Sequence, residues 1–124
     1  MRKFALLLGI VLLLFGIKLW DDGLYALYKE YPSAAVVYTE GRITCVSFTG
    51  GKADALRVLE MYGVKKYKTE MLPSDTGAIY VYYGASPYLF EGVAVNGGYC
   101  NIQVAFNPAT GRVTAGTPLI TGSY

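Results

Sequence analysis

Apolar and polar positions follow two different periods along this chain, after an opening stretch with no alternation at all. Phe4–Ile17 is uncharged and mostly aliphatic; Arg2 and Lys3 precede it, and Lys18, Leu19 and Trp20 follow. A basic start and an apolar run read as a signal anchor, with cleavage as a signal peptide as the alternative. Phe4–Trp20 would reach about 25 Å as a helix, close to the span of a hydrocarbon core. A buried core helix would rarely be apolar on every face. Residues 1–20 are therefore expected to be the leader, and residues 21–124 one extracytoplasmic domain, because the basic residues favour a cytoplasmic N-terminus.

Within the domain, Asp21-Asp22 suits a helix start, with Leu24, Leu27, Tyr28 and Tyr31 on one face and Pro32 as the stop. Tyr25, Tyr28 and Tyr31 with Trp20 read either as a juxtamembrane aromatic belt or, as favoured here, as part of a helix packed on a sheet. Ala34–Thr39 and Arg42–Thr49 are β-rich runs flanking a hairpin signal at Glu40-Gly41. After Gly50-Gly51, the pattern switches to a helical stripe of Ala55, Leu56, Leu59 and Tyr62, closed by Gly63. Gly50-Gly51-Lys52 lacks the spacing of a phosphate-binding loop, since Val46 and Ala53 stand where Gly and Ser or Thr are needed.

Val64–Leu72 reads as an extended edge, its Lys65, Lys66 and Lys68 discouraging pairing with other chains. The competing reading is contact with an anionic polymer or headgroup. Pro73–Gly77 predicts a turn. Ala78–Gly84 predicts a strand with Ile79, Val81 and Tyr83 on one face and Tyr80 and Tyr82 on the other. Ser86–Val95 is a connection, helical at first, and Asn96-Gly97-Gly98 a turn. Cys100, Ile102, Val104 and Phe106 then alternate with Asn101, Gln103 and Ala105. A hairpin follows at Asn107–Gly111, and a closing strand runs from Val113 to Thr121. This predicts an α+β fold: a curved antiparallel sheet with helices packed on one face and a polar opposite face.

Composition narrows the function. Of 11 basic residues, Arg2, Lys3 and Lys18 belong to the leader, so the domain keeps eight against nine acidic ones. A domain without net positive charge is a poor binder of phosphate backbones, and no nucleic-acid partner is expected. The chain has no His, the side chain most used for acid–base work near neutral pH. It shows no paired acidic motif, no Gly-x-Ser-x-Gly elbow, no metal-ligand cluster and no Cys-x-x-Cys. No enzyme activity, catalytic residue, metal or cofactor is expected. Cys45 and Cys100, the two cysteines, read either as a disulfide closing a loop of about 55 residues, with about 4 kcal/mol of chain-entropy stabilisation, or as two small buried hydrophobes on neighbouring strands.

Asn101-Ile102-Gln103-Val104-Ala105, a hairpin, Gly116-Thr117-Pro118-Leu119-Ile120-Thr121 and Tyr124 together resemble the YwmB family. These are secreted or membrane-anchored proteins of spore-forming Gram-positive bacteria. The resemblance implies a lobe like the TATA-box-binding protein, a cell-membrane or secreted location, and a link to envelope or sporulation processes, but no catalytic residues. Family members typically carry a further region ahead of this portion. A saddle of two like lobes would then need two copies of this chain, making a homodimer the alternative structural role.

The function expected from these readings is a non-enzymatic binding or scaffold domain tethered at the membrane by its N-terminal segment. Tyr80, Tyr82, Asn101, Gln103 and Thr114 are its candidate binding face, for an envelope protein, a glycan or a second protomer. A small envelope hydrolase with a carboxylate site is the enzymatic alternative.

Overall fold

The computed structural model describes residues 21, 23–41, 43–75, 77–89, 92–95 and 98–120. The leader, Thr121 and Tyr124 lie outside the described residues. Among the described residues there are two helices and eight strands: α1 (Ala26–Glu30), β1 (Ala35–Glu40), β2 (Ile43–Thr49), α2 (Lys52–Met61), β3 (Tyr67–Ser74), β4 (Gly77–Gly84), β5 (Val93–Val95), β6 (Gly98–Cys100), β7 (Ile102–Asn107) and β8 (Arg112–Thr117). Six strands make one sheet in the order β1-β2-β8-β7-β4-β3, and β5 and β6 pair separately. Every pairing is antiparallel.

The α+β class and the antiparallel sheet are as the patterns predict, and both helices lie on one face. That face carries Val46, Phe48, Tyr82, Ile102, Val104, Val113 and Ala115, packed with Ala55, Val58, Leu59 and Tyr62 from α2 and with Leu24 and Leu27. Tyr31, just after α1, stacks on Phe48 with ring centroids 4.0 Å apart. The helical stripe thus gains Val58, fully buried, while Leu56 is only partly buried.

α1 is shorter than its sequence pattern because Leu24 adopts a positive φ of 56°. That bend still leaves Leu24 and Leu27 fully buried. Asp21 caps the turn as expected, its carboxylate accepting from the amides of Tyr25 (2.9 Å) and Ala26 (3.0 Å). At α2, Asp54 reaches back to the Gly51 amide (2.8 Å) and also accepts from the Tyr31 hydroxyl (3.0 Å). One carboxylate therefore ties the end of α1 to the start of α2.

Three sequence expectations are corrected. Pro73 and Ser74 belong to β3 rather than to a turn; an edge strand tolerates proline because its missing N–H costs no ladder bond on the open side. Among the described residues after Ser86, Pro87 and Tyr88 form a turn and Val93–Val95 the short β5, where a helix was expected at first. The closing strand ends at Thr117 instead of Thr121, and the Thr117–Pro118 peptide is cis.

The tail after β8 then crosses the sheet face opposite α2. The Gln103 side chain accepts from the Ile120 amide at 2.7 Å, and Thr117 Oγ1 donates to the Asn101 carbonyl at 2.8 Å. A Cβ on Gly116 would lie 2.5 Å from the Leu119 carbonyl oxygen, so only glycine lets the tail lie this close. This face is withdrawn from water at its centre, where Ser47, Val81, Ala105 and Thr114 are all buried.

Candidate functional site

The five residues of the expected binding face do not share a surface. Gln103 and Thr114 lie opposite α2, where Gln103 holds the tail and Thr114 Oγ1 sits 3.3 Å from Ser47 Oγ. Arg112 Nε also donates to that Ser47 hydroxyl.

Asn101 belongs to neither neighbouring strand. It interrupts the strand between β6 and β7 and is buried. Its Oδ1 accepts from the Ser86 amide (2.6 Å), and its Nδ2 donates to the carbonyls of Ser86 (2.8 Å) and Leu89 (3.2 Å). Ser86 Oγ in turn donates to the Tyr62 carbonyl (2.5 Å), and the Tyr62 hydroxyl donates to Asp21 (2.7 Å). A polar chain thus runs from the buried Asn101 to Asp21. Nothing in the local sequence periodicity marks it, because its members are distant in sequence.

Cys45 and Cys100 are both buried and are not joined in a disulfide. The Cys45 thiol donates to the Leu119 carbonyl of the tail at 3.5 Å, whereas the Cys100 thiol has the Ile102 carbonyl at 3.1 Å and that of Pro118 farther off at 3.8 Å. Burial pushes the Cys100 thiol above its ordinary pKa, against the lowering pull of backbone hydrogen bonds from Ile102 and Gly84.

Tyr80 and Tyr82, by contrast, are brought together, and on the helix side of the sheet rather than on its far side. α2 covers β7 and β8, which leaves a strip of β4 and β3 beside it. There Met71 pairs with Tyr80, Thr69 with Tyr82, and Tyr80 with Phe106 on β7. Directly opposed residues of an antiparallel pair share a face. The result is an aromatic shelf: Met71 is 61% exposed, Tyr67 44% exposed, Tyr80 and Phe106 half-buried, and Tyr82 buried beneath. Tyr67 meets Tyr82 edge to face at 5.6 Å. Lys52, at the first turn of α2, holds its ammonium 5.4 Å from the centre of the Tyr80 ring.

Among the described residues, the Tyr82 hydroxyl is the buried side-chain polar atom that lacks a hydrogen-bond partner. Burial, reinforced by Tyr67 and Tyr80, raises its pKa. The shelf offers ring faces, a thioether, one cation and this phenol. Glu70, the carboxylate of β3, points to the other face and accepts from the Tyr83 hydroxyl at 2.9 Å. Such a surface suits the C–H faces of a sugar or the apolar side chains of a peptide. Tyr67, Met71 and Lys52 were not among the expected site residues. The alternation Tyr67-Thr69-Met71 was legible and β3 is an edge strand, as its lysines suggested, but the sequence did not show which strand lies beside it.

Carboxylates elsewhere are engaged by phenols: Tyr31 with Asp54, Tyr38 with Glu40, Tyr62 with Asp21 and Tyr83 with Glu70. Among the described residues no three potential metal ligands come together, and no helix is long and apolar enough to cross a membrane.

These phenols make stability depend on alkaline pH. Burial first, then the hydrogen bond and charge of Asp54, push Tyr31 up to about 12 from 10.0, and burial with Asp21 raises Tyr62 further. The fold keeps these groups protonated, whereas the unfolded chain ionises them near 10, so stability is intact below that pH and falls as pH rises above it. Urea midpoints should decline from about pH 10 toward 12, less steeply in Tyr31→Phe. Midpoints level across that window would contradict the assignment.

No family model, curated protein or solved structure matches this chain.

Proposed function

We propose that the chain is a non-enzymatic binding or scaffold domain, held by its N-terminal segment at the outer face of the cell membrane and engaged with an envelope glycan or protein. The shelf of Tyr67, Met71, Tyr80 and Tyr82 is the observation that carries this reading. It combines large exposed apolar side chains with a buried unpaired phenol, on a face that the helices leave uncovered. The basic-then-apolar leader, Arg2 to Trp20, supports the tether. The helices on one face of an antiparallel sheet support a lobe of the TATA-box-binding-protein kind, and with it the resemblance to YwmB-like proteins.

The test is binding of the full chain, in detergent micelles, to isolated envelope glycan and to detergent-extracted envelope proteins. Tyr67→Ser with Tyr80→Ser should weaken binding about tenfold, in the range of aromatic anchor residues. Circular dichroism should remain that of the unsubstituted chain. Equal binding by both proteins would overturn the assignment of the shelf.

A further inference from the structure

We propose that the corner formed by Tyr25, Tyr88, Lys65 and Lys66 docks on anionic lipid headgroups, so that the domain rests on the membrane in one orientation. This rests on the reading of Phe4–Trp20 as a membrane anchor.

The argument begins with reach. Ile17, the last residue of the aliphatic run, is four residues before Asp21. Even a fully extended chain spans only about 14 Å over that interval. The headgroup layer on each side of a bilayer is about 5–8 Å thick. Whatever surrounds Asp21 is therefore held in or beside the headgroups of an anchored chain.

Asp21 is fixed firmly to what surrounds it. Its amide donates to the Tyr88 carbonyl at 2.8 Å. Its carboxylate is turned inward, accepting from Tyr25, Ala26 and Tyr62. Tyr88 also leans on Gly63, where a Cβ would lie 3.2 Å from its ring and where φ is +69°. Val64 and Lys66 then run alongside Gly84, with a Cβ on that glycine 3.5 Å from the Lys66 carbonyl oxygen. The loop after α2 and the loop after β4 thus meet at the residue that follows the leader.

The side chains displayed there match an anionic interface. Tyr25 is 71% exposed and Tyr88 39% exposed, and tyrosine favours the headgroup level of a bilayer. Lys65 and Lys66 are both exposed. Lysines close to an anionic surface are attracted to it within about one Debye length. Tyr31 packs on Phe48, as the favoured reading of this helix expects, while Tyr25 stays at the surface and Tyr88 joins it from another loop.

The test uses the full chain reconstituted into phosphatidylcholine vesicles and into an equimolar mixture of phosphatidylcholine and phosphatidylglycerol. Acetylation of each lysine by an amine-reactive reagent is followed by mass spectrometry. Lys65 and Lys66 should react about tenfold more slowly on the anionic vesicles, with Lys52 unchanged, and molar salt should abolish the difference. Tyr25→Ser with Tyr88→Ser should lose most of the protection. Vesicle-bound chain whose Lys65 and Lys66 react equally on both lipids would overturn the docking while leaving the anchor intact. Chain that floats with neither vesicle would overturn the anchor itself, and the docking with it.

Discussion

Asn101→Ala should destabilise the domain by about 3 kcal/mol or more. The substitution leaves the Ser86 amide and the carbonyls of Ser86 and Leu89 buried without the partners that Asn101 supplies. Each such orphaned group costs about 1–3 kcal/mol. Against a total of about 5–15 kcal/mol for a domain of this kind, the loss is a large share. It should lower the melting temperature by about 15 °C. Asn101→Asp keeps one acceptor for the Ser86 amide but turns a carboxylate oxygen toward two carbonyls, so it should not rescue. Asn107→Ala, which removes a turn bond to the Ala109 amide at the exposed end of the hairpin, is the control and should cost under about 1 kcal/mol. Equal melting temperatures for Asn101→Ala and Asn107→Ala would refute the role given to the polar chain.

Leu59→Ala is expected to cost about 3 kcal/mol, for a different reason. Leu59 is 1% exposed, within the cluster that joins α2 to the sheet. Removing its branched end forfeits transfer energy and opens a cavity that the surrounding strands cannot close. Leu56→Ala, one turn earlier and only partly buried, should cost less than half as much. Urea denaturation of the two variants side by side measures the ratio. A larger loss at Leu56 would mean that α2 is rotated on the sheet relative to the structure described.

The contrast between these residues shows what the chain's pattern could reveal. Leu59 was legible because a helical stripe repeats every three to four residues, and period alone names the buried positions. The hairpins at Glu40-Gly41 and Asn107–Gly111 were legible for the same reason, their signals being local. Asn101 was placed on an exposed polar face because it alternates with Ile102 and Val104. The backbone departs from strand geometry at that residue, and alternation carries no information across such a break.

The assignment of faces failed on a related ground. Tyr80 and Tyr82 look polar beside Val81, yet Tyr82 joins the helix-side core while Val81 is buried on the reverse. With both faces of the central strands buried, apolarity no longer distinguishes inside from outside. Which face the helix takes is decided by its crossover from β2 to β3, a tertiary choice. Tyr80 and Tyr82 nevertheless ended in the candidate site, accompanied by Tyr67 and Met71 from the neighbouring strand. Those two became visible as partners only once the register Thr69↔Tyr82 and Met71↔Tyr80 was known.

Gln103, Gly116 and Thr117, which carried the family resemblance with Asn101, have structural work in common. Together they hold the tail against the sheet through the Ile120 amide, the Leu119 close approach and the Asn101 carbonyl. Residues that hold a tail to a sheet constrain the fold and say nothing of a ligand. The ligand question therefore returns to the shelf, and the orientation of the shelf to the membrane.

Protease treatment of intact cells expressing the full chain, followed by fractionation, tests the tethering most directly. The account predicts that the chain sediments with membranes and that its domain is cleaved by protease added outside. Recovery of the uncut chain in the soluble cytosolic fraction would contradict it.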